Sequence, residues 1–372
     1  MIGIITFHGS HNYGSMLQAY ATQQALLKLG YKNEIINFRM KSQKEYYALY
    51  QTKYGMMRFV RNLLLLPIHS LRSKREMKFE KFLREKYILS GDELETYEDL
   101  KTVASKYDIY LSGSDQIWSN RIPELIGSKI DYKGAYFLDF VAPGKKKVSY
   151  ASSIGEATLE ELEDKKNLLM QYKSIATREK TGALVLSKLL GRKVPTVIDP
   201  TLLLNKDDWR KISGRKRIIS EKYIFLYTLR GIRPGRKWAK YLKPLEERLG
   251  YKVVCVSPFF PVISRGIECL VNVGPEDFVN LLDNAELVFT DSFHGTAFSI
   301  NLGKKFFSLT KAGSKDVRKT DLMKSVGLNN RLLTDISDID RITEFNINYS
   351  EPQLKLDRLR KESYQYLSDA LK

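Results

Sequence analysis

Short apolar runs alternate with helix-spaced segments along the chain, and most of the runs open into loops rich in glycine, serine, asparagine or aspartate. Residues 2–7 form the first run. The loop His8-Gly9-Ser10-His11-Asn12-Tyr13-Gly14-Ser15 follows, then Met16, Ala19, Tyr20, Gln23, Leu26 and Leu27 at helical spacing, with Gly30 as a stop. Residues 34–38 read as the next strand. Strand–helix–strand units of this kind build parallel sheets, because a helical crossover returns the chain to the same end of the sheet.

The rhythm recurs. Residues 108–111 run into Ser112-Gly113-Ser114-Asp115-Gln116, and 147–151 run into Ser152-Ser153-Ile154-Gly155. Helices are expected over 159–172 and 178–190. Short strands are expected at 174–177 and 193–198, the second ending in Asp199-Pro200-Thr201. A further series begins near residue 220, with strands at 223–228, 252–257 and 287–290 and helices at 235–249 and 276–284. The loop Asp291-Ser292-Phe293-His294-Gly295 leads into a helix over 296–301, and residues 352–371 form a helical tail. The expected class is α/β, with two doubly wound domains, 1–205 and 206–372, facing a cleft. A length of 372 residues suits about two domains. Ligands of such sheets bind beyond the carboxyl ends of the strands.

Charge adds a second constraint. The chain carries 61 Lys and Arg against 43 Asp and Glu, a net of +18. Residues 41–89 hold 12 basic and 4 acidic residues, and residues 211–248 hold 12 and 3. Clustered positive charge concentrates anionic partners: nucleic acid, anionic lipid or a phosphorylated small molecule. Segment 41–89 breaks the α/β rhythm. Met56, Met57, Phe59, Val60, Leu63 and Leu64 mark one helical face, while Arg58, Arg61, Arg72, Lys74, Arg75 and Lys78 are basic. It reads as a basic helical insertion that either packs on its own domain or lies on an anionic membrane, with Arg72, Lys74 and Arg75 as lipid contacts. Arg230, Arg233 and Lys237 are expected to face the cleft.

Several classes are excluded. Cys255 and Cys269 are too few for a disulfide scaffold. No helix-turn-helix, zinc finger or RNA-recognition aromatic set occurs, so no nucleic acid partner is expected. No run approaches the roughly 18 apolar residues of a membrane span, and the start of the chain lacks a basic n-region, so a cytoplasmic location is expected. His8 and His11 lack acidic or cysteine company, so no metal site is expected. Gly9 and Gly14 are wrongly spaced for a dinucleotide fingerprint, and no phosphate-binding P-loop pattern occurs.

Among the strand-end loops, His294 is the sharpest candidate. It is one of four histidines and opens a helix whose free N–H groups suit an anion. Arg178 is expected in a first helical turn, where a cation makes sense if an anion lies between it and the helix end. Asp115 and Asp199 are candidate bases or caps, and Asn12 and Ser292 positioning groups.

At these residues the sequence resembles the polysaccharide pyruvyl transferase family. The resemblance rests on residues 3–7 with Asn12-Tyr13-Gly14-Ser15, on 111–118, on Tyr150-Ala151-Ser152-Ser153-Ile154-Gly155, on Arg178-Glu179-Lys180, on Asp199-Pro200-Thr201 and on 290–295. It implies two Rossmann-like halves of GT-B-like architecture. It implies transfer of the pyruvyl group of phosphoenolpyruvate onto two hydroxyls of a sugar, forming a ketal on a cell-surface or exopolysaccharide precursor. It implies donor-site roles for His294 and Arg178. Asp115 is the expected base. Asn12, Gly14, Ser112, Gly113, Ser153, Asp199, Asp291, Ser292 and Gly295 are the expected substrate-binding positions. No cofactor is required, since phosphoenolpyruvate is itself the donor substrate. The acceptor is expected to be a glycan or lipid-linked sugar, and the basic segment 41–89, not the resemblance, is what suggests peripheral contact with an anionic membrane at its inner face. The alternative is a GT-B glycosyltransferase using a nucleotide sugar.

Overall fold

The computed structural model describes residues 1–50, 56–119, 121–122, 133–214, 216–229, 232–257, 267–310 and 317–372, without the side chains of 56–58, 61, 133 and 232–236. The expectations for Arg58, Arg61, Arg230 and Arg233 therefore lie outside the described residues.

Among the described residues ten strands form two parallel sheets. In the first, β1 (Ile2–Ile5), β2 (Asn33–Ile35), β3 (Ile109–Ser112) and β4 (Lys146–Ser149) run in the order β2-β1-β3-β4. Ile4 pairs with Ile35 on one side and Leu111 on the other. All four residues of β1 are buried, which is why the strand reads as a continuous apolar run. The second sheet contains β5 (Tyr223–Tyr227), β6 (Lys252–Val256), β7 (Glu268–Cys269), β8 (Leu287–Thr290), β9 (Phe306–Leu309) and β10 (Leu332–Leu333), in the order β10-β9-β8-β5-β6-β7.

Each sheet reverses direction at its first strand. The chain leaves β1 for β2 on one side and returns to β3 on the other. It leaves β5 for β6 and β7 and returns to β8. The crevices at these reversals, between the loops after β1 and β3 and between those after β5 and β8, are where such sheets hold ligands.

The halves share a core. Tyr13, at the start of the helix Tyr13–Lys28, stacks on Phe278 of the second half at 4.8 Å and 12°. Its hydroxyl donates to Val273 O at 3.0 Å. The tail helix Ser350–Leu371 crosses back over the first half: Ile198 N donates to Ser363 Oγ at 3.1 Å, and Tyr366 OH donates to Ser149 O at 2.8 Å. Arg360 links both halves, donating to Leu202 O and to Asn301 Oδ1.

Some elements differ from the sequence reading. Segments 174–177 and 193–198 contribute only single bridges, Val148 to Ser174, Ser152 to Thr177 and Thr177 to Thr196. The expected 159–172 helix is interrupted by a 3₁₀ turn at Glu163–Lys165. The insertion is several helices, Lys41–Tyr47, Met56–Leu64 and His69–Lys86 among them. The last is tied to the second half by Lys78 to Asp277 at 2.6 Å and Lys86 to Glu276 at 2.9 Å. Arg72 and Arg75 do not face outward as lipid contacts. Arg72 donates to Leu49 O, and Arg75 donates to His11 O at 2.8 Å while lying 4.6 Å above the Phe79 ring. Lys74 is exposed.

Candidate active site

The two sheet reversals meet at one cluster. Asp199 follows a buried segment and caps the short helix Pro200–Leu203, where its Oδ1 accepts from Thr201 N at 2.9 Å and Thr201 Oγ1 at 2.6 Å. Its Oδ2 accepts from Arg178 Nη1 at 2.6 Å and Ser114 Oγ at 3.3 Å, and lies 3.6 Å from His294 Nε2. Burial raises the Asp199 pKa, but the positive charges of His294 and Arg178 outweigh it and hold the carboxyl far below the usual range.

Asp115 sits at the end of the β3 loop with φ 75°, a left-handed conformation that aspartate tolerates better than most residues. Ser15 Oγ donates to its Oδ2 at 2.7 Å and Gln116 N to its Oδ1 at 2.9 Å, while Arg178 Nη2 stands 3.8 Å away. Burial works against its ionisation, but Arg178, His294 and the Ser15 bond together lower its pKa.

Arg178 lies one residue before the N-cap Glu179 of the helix Lys180–Leu190, not in the first turn as the sequence suggested. Its guanidinium lies 4.5 Å above the Phe293 ring. His294 lies in the first turn of a helix that starts at Phe293, three residues earlier than expected, because Ser292 caps it by accepting from Gly295 N at 3.3 Å. A Cβ on Gly14 would stand 2.0 Å from His294 Nδ1, so the first half can approach His294 only through a glycine. Both side chains keep a buried nitrogen without a hydrogen bond. Among the described residues no hydrogen-bond partner reaches Arg178 Nη2 or His294 Nε2, although both atoms are buried. A buried, unsatisfied donor is costly, and a ligand acceptor would relieve it.

Two cavities flank the cluster. One of about 240 Å³ is lined by Arg178, Asp199, Phe293 and Arg318 together with the tail helix at Glu362 and Ser363. The other, about 260 Å³, is lined by Gln116, Ser119, Arg121, Gly155, Glu156 and Arg318. Arg318 borders both.

Of the expected site residues, His294, Arg178, Asp115, Asp199 and Gly14 converge. The others occupy the surrounding scaffold. Asn12 Oδ1 caps the first helix through Gly14 N at 2.9 Å. Ser112 spends its hydroxyl on Tyr136 O and Tyr172 OH. A Cβ on Gly113 would meet Thr6. Ser153 Oγ accepts from Gly155 N. Asp291 bridges the second reversal, accepting from Thr228 Oγ1 and Leu229 N at 2.8 Å each. A Cβ on Gly295 would stand 2.3 Å from Thr290 Oγ1. The sequence reading missed Ser15, Ser114, Thr201 and Phe293, all of which lie inside the quoted loops. It also missed Glu179, a buried acid whose carboxyl burial pushes up, and Arg318, which no pattern marked. His8 and His11 part company: His8 contacts Asn37 Oδ1, and His11 contacts Glu80. Among the described residues no cluster of His, Cys, Asp or Glu is arranged to hold a metal ion. Lys237 is exposed and its charge acts on Asp335.

The family profile described as polysaccharide pyruvyl transferase matches residues 12–310. The chain belongs to the polysaccharide pyruvyl transferase family. The matched span contains the whole Asp115–Arg178–Asp199–His294 cluster of this family member, while Arg318 and the tail helix lie beyond it. No curated protein matches the chain by sequence. By fold, the transferase-family chain is similar to the UDP-GlcNAc 2-epimerase of Neisseria meningitidis, at 9% identity and TM-score 0.54, covering 100% of this chain and 98% of that one. It is also similar to the putative UDP-N-acetylglucosamine 2-epimerase of Listeria monocytogenes, at 11% identity and TM-score 0.54, over 99% and 90% of the two chains. The UDP-N-acetylglucosamine 2-epimerase of Rickettsia bellii gives 11% identity and TM-score 0.54, over 99% and 95%. The architecture is GT-B-like: two parallel sheets flanked by helices, with the loops after their strands meeting at the Asp115–Arg178–Asp199–His294 cluster. Among the described residues no helix is long and apolar enough to cross a membrane.

Proposed function

We propose that the chain transfers the pyruvyl group of phosphoenolpyruvate onto two hydroxyls of one sugar in a cell-surface or exopolysaccharide precursor. The observation that carries this reading is the pair of buried nitrogens, Arg178 Nη2 and His294 Nε2, which make no hydrogen bond among the described residues and face carboxylates only at 3.8 Å (Asp115) and 3.6 Å (Asp199), with Arg178 lining a cavity. Phosphoenolpyruvate brings a phosphate and a carboxylate, and a planar guanidinium suits either oxygen pair.

In the proposed reaction carbon 3 gains a proton and carbon 2 becomes electrophilic. One sugar hydroxyl adds to carbon 2 and gives up its proton. The second hydroxyl closes the ketal as the carbon–oxygen bond to phosphate breaks, and inorganic phosphate leaves with the remaining proton. Arg178 neutralises the donor's charge. His294 contacts the phosphate or supplies the proton. Asp199 orients Arg178 and lies beside His294. Asp115, held well ionised, is a weak base, so its part in this reading is to fix the field around Arg178 rather than to take the hydroxyl proton.

The test is phosphate release from phosphoenolpyruvate with a pool of sugar acceptors. Wild type should release phosphate, and Arg178→Ala and His294→Ala should each lose on the order of 10²-fold or more. A thermal-shift screen separates the nucleotide-sugar alternative: stabilisation by UDP- or GDP-sugars and not by phosphoenolpyruvate would overturn the proposal.

A further inference from the structure

The insertion helix Met56–Leu64 turns apolar side chains outward. Phe59, Leu63 and Leu64 are 59%, 50% and 69% exposed, and Val60 is exposed on the same face, at helical spacing. Leu66, at the start of the next turn, is 50% exposed, and only Leu65 of this stretch is buried among the described side chains. An outward apolar ridge of this length on a soluble helix marks an interaction surface.

The helix that follows, His69–Lys86, has two faces. Arg75, Phe79 and Phe82 turn inward, with Arg75 and Phe79 lying against Tyr13 beside the His11–Tyr13 loop. Leu71, Lys74, Met77, Lys81 and Arg84 recur every three or four residues and are exposed on the other face. Glu85 shares that face, 3.9 Å from Lys81, which leaves the strip net basic. Apolar side chains interleaved with basic ones, following in the chain on an exposed apolar ridge, complement an interface of hydrocarbon and negative headgroups.

We infer that residues 59–84 dock the protein on an anionic lipid surface. The apolar ridge enters the interface and Lys74, Lys81 and Arg84 meet the headgroups. The same helix covers the His11–Tyr13 loop with its inner face, so docking places the candidate site close to the lipid. That is the location in which a lipid-linked acceptor, the class allowed by the proposed function, would be presented. The docking itself does not depend on that function, because vesicle binding is read without any turnover.

The test is cosedimentation of the full chain with vesicles of equal parts phosphatidylcholine and phosphatidylglycerol, against vesicles of phosphatidylcholine alone. Wild type should sediment with the anionic vesicles, and less so as salt is raised. Leu63→Glu with Leu64→Glu, and separately Lys74→Glu with Lys81→Glu and Arg84→Glu, should each weaken binding more than about tenfold, with unchanged thermal melting. Absence of sedimentation with anionic vesicles, or sedimentation untouched by both variants, would overturn the inference. So would a wild-type dimer in light scattering that ignores vesicles and is split by the Leu63 and Leu64 substitutions, since the ridge would then be a contact between two copies.

Discussion

Arg178, Asp199 and His294 illustrate how a single carboxylate can hold an arginine and a histidine side by side. Asp199 Oδ2 takes one bond from Arg178 Nη1 at 2.6 Å and stands 3.6 Å from His294 Nε2, and neither Arg178 Nη2 nor His294 Nε2 makes a hydrogen bond among the described residues. Replacing Asp199 by Asn should remove the charge that holds the pair together. Phosphate release should fall by on the order of 10²-fold, and the measurement is kcat against KM for phosphoenolpyruvate. His8 offers a pH prediction. Burial lowers its pKa to about 4 from an ordinary 6.5. The unfolded chain therefore binds the proton between those values while the folded chain does not, and stability rises with pH across that window. Acidification from pH 6.5 to 4 should cost roughly 3 kcal/mol at this site. A His8→Gln variant should show a flatter stability curve there by denaturant titration. His294 and Arg178 were legible in the sequence because each stands just after an apolar run in a loop of small polar residues. The contacts of Ser15 and Ser114 with the two aspartates were not, because they join loops separated by about a hundred or fewer residues, and spacing along the chain carries no such pairing.

At the scale of elements, the site exists because two helices begin where two sheets reverse. The helix Tyr13–Lys28 and the helix Phe293–Asn301 approach through Gly14, whose absent Cβ leaves the space that His294 Nδ1 fills. Gly14→Ala should displace His294 or part the halves. Stability should fall by about 1–3 kcal/mol, as overpacking does, and activity by a larger factor than the melting shift accounts for. Parallel measurement of kcat and thermal unfolding checks this. The parallel strands were legible as buried apolar runs. Segments 174–177 and 193–198 read the same way, yet each makes only single bridges, since apolar content marks burial and not the length of the ladder. The 296–301 helix began early because the Ser292 cap lies ahead of the apolar periodicity that revealed the helix.

On the scale of the whole molecule, the chain is two GT-B-like halves tied by shared core and by a tail helix that touches both. Leu367 is buried in that helix. Leu367→Ala should cost about 2–5 kcal/mol in global stability, measured by denaturant unfolding, and should loosen the cavity wall formed by Glu362 and Ser363. The net charge of +18 acquires a distribution here. Lys78 and Lys86 join the halves, Arg75 covers the first loop, Arg178 faces the cavity, and Lys74, Lys81 and Arg84 form the outer strip. The insertion's basic character was plain in the sequence, but which cations turn inward depends on the helix rotation set by Phe79 and Phe82, which composition does not report. Phosphoenolpyruvate is expected to bind in the cavity lined by Arg178, beside the Asp199–His294 pair, and calorimetric titration of the donor into the full chain reads that binding without turnover. Wild type should bind saturably, and Arg178→Ala and His294→Ala should each weaken binding at least about tenfold, with folding intact. Binding that is absent in wild type, or equal in all three proteins, would contradict this expectation.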